Sequence, residues 1–250
     1  MKLRDDSKVI GLWYDTKANH YYNLWNIKEG EIRKKFEISH FNALIGIIDK
    51  RNRILDLGCG DCRYYFNSSG VSLKNYFGID VSRNLLQIAK HQEKSINIAE
   101  CNAYSLSFKP ESFDVIVSIG LFEFIKDPVP LLEEGFKILK PGGKFIFNAH
   151  NKLAHSAKIF LKKLLNIKDP FPVQKAYYIP NPSKLLYNGI KVEISHYYSA
   201  PIAFILKVFC NRIDKMPNSL KALERIDTAL NKVPLINSFA TTNVYCLHKE

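Results

Sequence analysis

The feature that most constrains this chain is an apolar segment that runs into two glycines, followed by a second apolar segment that ends in a carboxylate. The first segment reads Ile54-Leu55-Asp56-Leu57-Gly58-Cys59-Gly60, and the second reads Tyr76-Phe77-Gly78-Ile79-Asp80. Glycine lets the backbone approach a ligand closely, and a helix that follows offers unpaired N–H groups at its positive end. Asp80 lies 80 − 58 = 22 residues after Gly58, a spacing at which a second strand can end beside a ribose. The two segments therefore predict a nucleoside-binding site.

The residues after the turn distinguish two classes of nucleotide-binding fold. The dinucleotide fingerprint needs a third glycine at position 63, where the helix packs tightly on the strand. This chain has Arg63 there. The sequence therefore argues against a dinucleotide as the ligand.

The turn from Asp56 to Gly60 resembles the first motif of the class I S-adenosylmethionine-dependent methyltransferases. Four later segments resemble further motifs of that family in the same order: Asp80 with Val81, Asn102 with Ala103, residues 112–118 and residues 139–145. The resemblance is close over roughly residues 30–150 and loose elsewhere. It implies that the chain is a methyltransferase whose cofactor is S-adenosyl-L-methionine, and it is nearest to the small-molecule and quinone-biosynthesis type.

The resemblance also implies a set of cofactor-binding residues, which a parallel sheet would gather at the carboxyl ends of its strands. These residues are Asp56, Gly58, Cys59, Gly60, Asp80, Val81, Asn102, Ala103 and Ser118. Asp80 would hold the ribose, and the amide of Asn102 would face the edge of the adenine. Asp56 would orient the turn or reach the ammonium group of the ligand through water.

Two positions depart from the family's pattern. Cys62 stands where the family usually has a third small residue, often glycine, and Phe124 stands where relatives often have a histidine. Because cysteine behaves as a small hydrophobic residue, Cys62 should still fit if this position is helical. Phe124 offers neither acid nor base, so the chemistry of relatives cannot be transferred directly.

Two other side chains are candidates for acid–base catalysis. His150 follows the predicted fifth strand, and Glu123 follows the fourth. Methyl transfer from a sulfonium is an in-line displacement that depends mainly on positioning, and a base is needed only when the acceptor must lose a proton. Imidazole is the side chain best suited to proton transfer near neutral pH.

Strands that alternate with helices predict right-handed βαβ units on a parallel sheet. We expect an α/β fold with a Rossmann-like, seven-stranded, mostly parallel sheet and helices on both faces. Strands near residues 190–196 and 241–248 would form a closing antiparallel hairpin. Ser82 should cap the helix after the second strand, and residues 141–143 should end the helix that begins at residues 127–128.

The pattern divides the chain into three parts. They are an N-terminal lid or helical segment (1–50), a cofactor-binding core (51–150), and an acceptor-pocket insertion with the closing hairpin of the same domain (151–250). Tyr14, Tyr21 and Tyr22 would form the lid. Hydrophobic spacing predicts further helices over residues 29–49 and 219–231.

The formal net charge of +12 is concentrated near the C-terminus. Basic residues exceed acidic ones by 15 − 6 = 9 in residues 151–250, but only by 12 − 11 = 1 in residues 51–150. Lys158, Lys162 and Lys163 lie among apolar residues of a predicted amphipathic helix, a pattern that can contact an anionic membrane surface. Nucleic acid is a less favoured partner, because no recognisable nucleic-acid-binding motif accompanies these lysines.

Cysteine usage and the apolar runs indicate a cytoplasmic protein. The five cysteines are scattered, Met1 to Asp15 does not resemble a signal peptide, and the longest apolar run, residues 200–209, is too short to span a bilayer. Cys59 and Cys62 have C-x-x-C spacing, but no second ligand pair follows them. We therefore expect no metal.

The preferred interpretation is methyl transfer from S-adenosylmethionine to a small or amphiphilic acceptor. One alternative is an RNA-base methyltransferase, motivated by the basic C-terminal third. A second is a non-catalytic, cofactor-binding partner subunit, which the departures at Cys62 and Phe124 make conceivable. The sequence does not identify the acceptor atom or the oligomeric state.

Overall fold

The computed structural model describes residues 7–26, 51–67, 71–164, 190–197 and 242–250, together with the single positions 49, 178, 179, 225, 229 and 240. Its helices and strands, in chain order, are α1 Ser7–Asn26, β1 Ile54–Leu57, α2 Arg63–Phe66, β2 Tyr76–Asp80, α3 Arg83–Gln92, β3 Ile98–Glu100, β4 Phe113–Ser118, α4 Val129–Ile138, β5 Leu139–His150, α5 Lys152–Leu164, β6 Ile190–Tyr197 and β7 Thr242–Lys249. Short 3₁₀ turns span Leu73–Asn75 and Phe122–Phe124.

The strands form one seven-stranded sheet in the order β3-β2-β1-β4-β5-β7-β6. The first five strands in this order pair in parallel, whereas β7 is antiparallel to both β5 and β6. The expected Rossmann-like, mostly parallel sheet is confirmed. Its closing strands begin and end within one residue of the segments predicted from the sequence.

The centre of the sheet is apolar because it is covered on both faces. All four residues of β1 are buried, and five of the six residues of β4 are buried. Parallel strands covered on both sides are typically rich in hydrophobic residues, and these two strands follow that pattern except at Asp56, Asp114 and Ser118. The carboxyl ends of β1, β2 and β4 therefore meet at one edge above a rigid core, which fixes the positions of residues at that edge.

Helix α3 begins as predicted. The hydroxyl of Ser82 accepts a hydrogen bond from the N–H of Leu85 at 3.3 Å, which is N-capping geometry. The buried face of the helix carries Leu85, Leu86 and Ala89. The cap anchors α3 directly after the end of β2.

Helix α4 ends earlier than the sequence predicted. It stops at Ile138, three residues before the Pro-Gly-Gly segment 141–143, and the chain enters β5 at Leu139. Pairing with β4 moves from Phe113↔Leu139 to Val115↔Lys144, so residues 140–143 form an irregularity within the strand. Sheet pairing ends this helix, because the carbonyl of Ile138 accepts a hydrogen bond from the N–H of Ser112 at 2.8 Å.

Several expectations lie outside the described residues. They are the helices over 29–49 and 219–231 apart from single positions, the apolar run 200–209, and the side chains of Tyr21, Lys158 and Lys162. Within the described part of the chain, no helix combines the length and apolar character that a bilayer crossing requires.

Candidate functional site

The turn after β1 has the backbone conformation that its glycines allow. Gly58 and Gly60 have φ angles of 74° and 55°, in the left-handed region that most side chains disfavour. The N–H groups of Gly58 and Cys59 both donate to the carbonyl of Ile79, at 2.8 and 3.0 Å. These bonds hold the turn against the end of β2, so that the turn and Asp80 form one surface.

Asp80 occupies the position predicted for a ribose-binding carboxylate. Its two oxygens accept hydrogen bonds from the N–H groups of Gly60 at 2.9 Å and Ser82 at 2.8 Å. A carboxylate has about four acceptor positions, so capacity for a diol remains. Burial raises the pKa of Asp80 to about 6, although the backbone hydrogen bonds oppose this shift. The group is therefore an acceptor of hydrogen bonds above about pH 6.

Asp56 lies deeper than Asp80 and is almost fully buried. The hydroxyl of Tyr76 donates to its Oδ2 at 2.8 Å. Burial raises the pKa of Asp56 to about 7, the Tyr76 hydrogen bond lowers it, and the nearby charge of Asp80 raises it. The contact supports a role in orienting the first strand and its turn, while contact with a ligand ammonium stays a prediction.

Cys62 lies outside the helix that follows the turn, so the condition under which it was expected to fit is not met. It precedes α2 with a φ of 56°, in the left-handed region, and its side chain is fully buried. Glycine adopts such a φ without strain, whereas a residue with a side chain does so at a cost. The next residue, Arg63, is buried and pairs with Asp61 at 2.7 Å.

The thiols of Cys59 and Cys62 are free and buried. Burial raises the pKa of Cys59 well above its ordinary value, which disfavours the reactive thiolate. Close packing also fixes Cys59, because a Cβ atom added at Gly78 would come within 2.8 Å of the Cys59 sulfur. The two residues therefore support the turn by packing.

The remaining predicted cofactor residues lie at the same edge but differ in exposure. Val81 and Asn102 are partly exposed, whereas Ala103 is buried in the main hydrophobic cluster. The amide oxygen of Asn102 accepts the N–H of Tyr104 at 3.0 Å. Ser118 is fully buried, and its hydroxyl donates to the carbonyl of Leu57 at 3.0 Å, which joins β4 to β1. Contact of any of these residues with a ligand stays a prediction.

The two candidate catalytic residues form a pair. Nε2 of His150, the last residue of β5, lies 2.6 Å from Oε2 of Glu123, which follows β4. Both side chains are about 30% exposed. The imidazole rings of His150 and His155 are 4.5 Å apart, and Nδ1 of His155 lies 3.1 Å from the hydroxyl of Tyr178. Sequence reasoning identified the first two residues but missed the other two, since no local pattern relates residues 150, 155 and 178.

Helix α1 lies across the same edge of the sheet. Oδ1 of Asp15 accepts hydrogen bonds from the Ser82 hydroxyl at 2.7 Å and from the Asn84 N–H at 3.0 Å. The neighbouring Tyr14 packs edge-on against Phe124, with ring centroids 5.9 Å apart. These contacts connect α1 to the segments after β2 and after β4, as a lid would require. No sequence pattern pointed to Asp15.

Residues 55–147 match the family model described as a methyltransferase domain. Demethylmenaquinone methyltransferase of Lactococcus lactis is 39% identical over 102 residues, which are 37% of this chain and 40% of that enzyme. Ubiquinone biosynthesis O-methyltransferase of Colwellia psychrerythraea is 29% identical over 174 residues, 64% of this chain and 69% of that enzyme. The chain spans 40%, 63% and 69% of the length of three curated relatives that it matches.

Solved structures show the same fold at low sequence identity. Magnesium protoporphyrin IX methyltransferase from Synechocystis PCC 6803, solved with bound S-adenosylhomocysteine, aligns with a TM-score of 0.62 and 11% identity. The alignment covers 98% of this chain and 100% of that chain. The family match over residues 55–147, on a fold shared with solved methyltransferases, confirms the resemblance predicted from the sequence: this segment is a methyltransferase domain similar to those of the class I S-adenosylmethionine-dependent methyltransferases.

Proposed function

We propose that this protein transfers the methyl group of S-adenosylmethionine to a small or amphiphilic acceptor that must lose a proton, such as a phenolic or enolic hydroxyl. The observation that carries the proposal is the Glu123–His150 pair at the edge of the sheet where the glycine turn and Asp80 lie. A base contributes only when the acceptor must lose a proton as it is methylated. Two relatives are named for demethylmenaquinone methylation and ubiquinone biosynthesis, which agrees with an acceptor of this class.

Asp80 and the glycine turn would hold the cofactor. Asp80 would accept hydrogen bonds from the ribose hydroxyls, and the turn would allow the backbone to approach the ligand closely. Helix α1 would cover the ligand and exclude water, which supports a displacement that depends on positioning. S-adenosylmethionine supplies the methyl group and leaves as the neutral thioether.

His150 would take the proton of the acceptor. A carboxylate oxygen accepts hydrogen bonds, so Glu123 fixes Nε2 of His150 as the donor nitrogen, and Nδ1 then carries the lone pair. As the acceptor oxygen bonds to the methyl carbon, its proton passes to Nδ1, and Glu123 stabilises the imidazolium. The products are the methylated acceptor, S-adenosylhomocysteine and a proton that His150 later releases to water.

Radiolabelled S-adenosylmethionine provides the test. The protein is incubated with a hydroxylated quinol, with a catechol and with transfer RNA, and the label in each is counted. We expect label in the hydroxylated small molecules. Exchange of His150 for Gln should lower kcat by about 10² to 10⁴, the usual contribution of general base catalysis, and should leave affinity for S-adenosylhomocysteine unchanged.

His91→Gln is the matched control, because His91 is exposed on α3 and distant in sequence from the pair. The control should retain wild-type kcat. Label in transfer RNA alone would favour the RNA-base methyltransferase alternative. Cofactor binding with no transfer to any pool would favour the non-catalytic partner subunit, and an unchanged kcat in His150→Gln would exclude His150 as the base.

A lipid-like acceptor agrees with a second feature, the apolar stripe of α5. Leu153, Phe160 and Leu164 are spaced by seven and four residues, which places them on one face of the helix, and they are 55% to 69% exposed. Lys163 is also exposed on this helix. Exposed apolar residues beside lysines, in a chain with a net charge of +12, fit an anionic membrane surface. We propose that α5 contacts such a surface while the acceptor enters the site.

Vesicle sedimentation tests this contact. Wild-type protein should sediment with phosphatidylglycerol vesicles and much less with phosphatidylcholine vesicles, because only the former attract the positive charge. Phe160→Ser with Leu164→Ser should reduce binding at least tenfold. Val9→Ser with Leu12→Ser is the control, since these side chains on α1 are also 66% to 69% exposed. Equal losses in both double variants would contradict a specific role of α5.

A further inference from the structure

Three side chains with metal-binding atoms meet on the two outer strands of the sheet. Glu193 on β6 pairs directly with Cys246 on β7, and His248 lies two residues further along β7. Directly paired residues and residues two apart share one face of a sheet. A carboxylate oxygen, the thiol sulfur and an imidazole nitrogen therefore lie within 4.8 Å of one another.

The distances between these atoms agree with tetrahedral coordination. Nε2 of His248 lies 3.5 Å from Oε2 of Glu193 and 3.5 Å from the sulfur of Cys246. Around a tetrahedral zinc ion with ordinary bond lengths, sulfur and nitrogen are about 3.6 Å apart, and nitrogen and oxygen are about 3.3 Å apart. The imidazole nitrogen of His248 therefore lies at the distances from the other two donors that an ion would require.

The charges around the cluster also fit a metal ligand set. Nζ of Lys191 lies 2.7 Å from Oε1 of Glu193, which leaves Oε2 on the side of His248. A metal-bound carboxylate is commonly oriented by a hydrogen bond to its other oxygen. Burial raises the pKa of the Cys246 thiol, Lys144 and Lys191 lower it, and the charge of Glu193 raises it. A metal ion would displace the thiol proton to solvent and bind the thiolate.

The cluster lies far from the proposed methyl-transfer site. His248 pairs with Lys144 in the middle of β5, whereas His150 is the last residue of β5 and pairs with Thr242. Six residues of strand separate the two positions, which is about 20 Å. An ion at the cluster would therefore stabilise the edge of the sheet and take no part in methyl transfer. Among the described strands, β6 pairs only with β7, so a cross-link between them would act on the outermost strand.

We propose that Glu193, Cys246 and His248 bind a divalent transition-metal ion such as Zn²⁺, which cross-links β6 to β7. One thiolate, one imidazole and one carboxylate are ligands that zinc accepts, and the fourth position would be taken by water or another donor. The site is separate from Cys59 and Cys62, whose buried thiols pack beneath the glycine turn.

Titration of the chelator-treated protein with Co²⁺ in place of Zn²⁺ tests the proposal. We expect one equivalent to bind, with the thiolate-to-cobalt charge-transfer absorption and the visible bands of a tetrahedral site. Cys246→Ser should remove the charge-transfer absorption, and both Cys246→Ser and His248→Gln should weaken binding at least about 100-fold. Zn²⁺ should displace Co²⁺ and slow hydrogen exchange of the amides of β6.

Cys101→Ser is the control, because Cys101 is another free and partly exposed thiol. Its cobalt spectrum should be that of the wild type. Retained affinity for S-adenosylhomocysteine shows that each variant is folded. A wild-type spectrum without thiolate absorption, or identical spectra for the wild type and Cys246→Ser, would overturn the proposal. Metal binding that leaves the hydrogen exchange of the β6 amides unchanged would contradict the proposal that the ion cross-links β6 to β7.

Discussion

The buried carboxyl of Asp56 should make the free energy of unfolding depend on pH, and Asp56→Asn should remove that dependence. Burial raises its pKa in the folded state to about 7, against an ordinary value of 3.8. Folding therefore favours the protonated form. The stability that this group contributes is fully present below pH 3.8 and is lost as the pH rises through about 7.

The expected size follows from these two values. At about 1.4 kcal/mol per pH unit, ionised Asp56 lowers the free energy of unfolding by about 1.6 kcal/mol at pH 5 and about 4 kcal/mol at pH 8. The wild type should thus lose about 2.5 kcal/mol between these pH values through Asp56. The free energy of unfolding of Asp56→Asn should fall by about 2.5 kcal/mol less than that of the wild type between these pH values, because the amide does not ionise.

Urea unfolding followed by circular dichroism at pH 5 and pH 8 measures this difference. Asparagine places an unpaired N–H group in a buried position, but that cost is the same at both pH values and cancels in the comparison. Glu133→Gln, at an exposed position of α4, is the control and should behave as the wild type. An equal change with pH in the wild type and in Asp56→Asn would refute the argument.

Three further changes probe the same edge of the sheet. Asp80→Asn should weaken S-adenosylhomocysteine binding at least tenfold by calorimetry, because charge-assisted hydrogen bonds are lost. The affinity of the wild type should fall as the pH drops through about 6. An unchanged affinity in the variant would mean that the ribose is held elsewhere. Tyr76→Phe should lower the free energy of unfolding by about 1 to 3 kcal/mol, more at pH 8 than at pH 5, because ionised Asp56 loses its donor. Cys62→Gly should be more stable to urea than Cys62→Ala by about 1 kcal/mol, the reverse of the order in a helix, and a more stable alanine variant would contradict the left-handed conformation.

The sequence predicted those features that depend on local spacing. The glycine turn, the carboxylate 22 residues later and the Ser82 cap are each set by a few neighbouring residues, and the structure places them as expected. The closing strands were also predictable, because their apolar patterns resemble the end of a known family's sheet. These features suffice to predict the methyltransferase-domain match and the edge of the sheet where the candidate site lies.

Features that depend on sheet packing were not predictable from local patterns. The fit of Cys62 was argued only for a helical residue, but the chain turns sharply between β1 and α2, and Cys62 adopts a left-handed conformation there. The end of α4 is set by pairing of β5 with β4 and not by the nearby Pro-Gly-Gly segment. The Tyr76 donor to Asp56 and the Asp15 contacts join residues that are 20 to 69 positions apart, which no sequence window contains.

The contacts of Asp15 have a consequence for the kinetics of ligand binding. A ligand held by Asp80 lies next to Ser82, and Asp15 bonds both Ser82 and Asn84 from α1. Entry or exit of that ligand would require these hydrogen bonds to break before the helix can swing away. We therefore expect association rate constants well below the diffusion limit, with the departure of the product governed by the opening of α1. In that case the movement of α1, and not the breaking of the carbon–sulfur bond, would limit kcat.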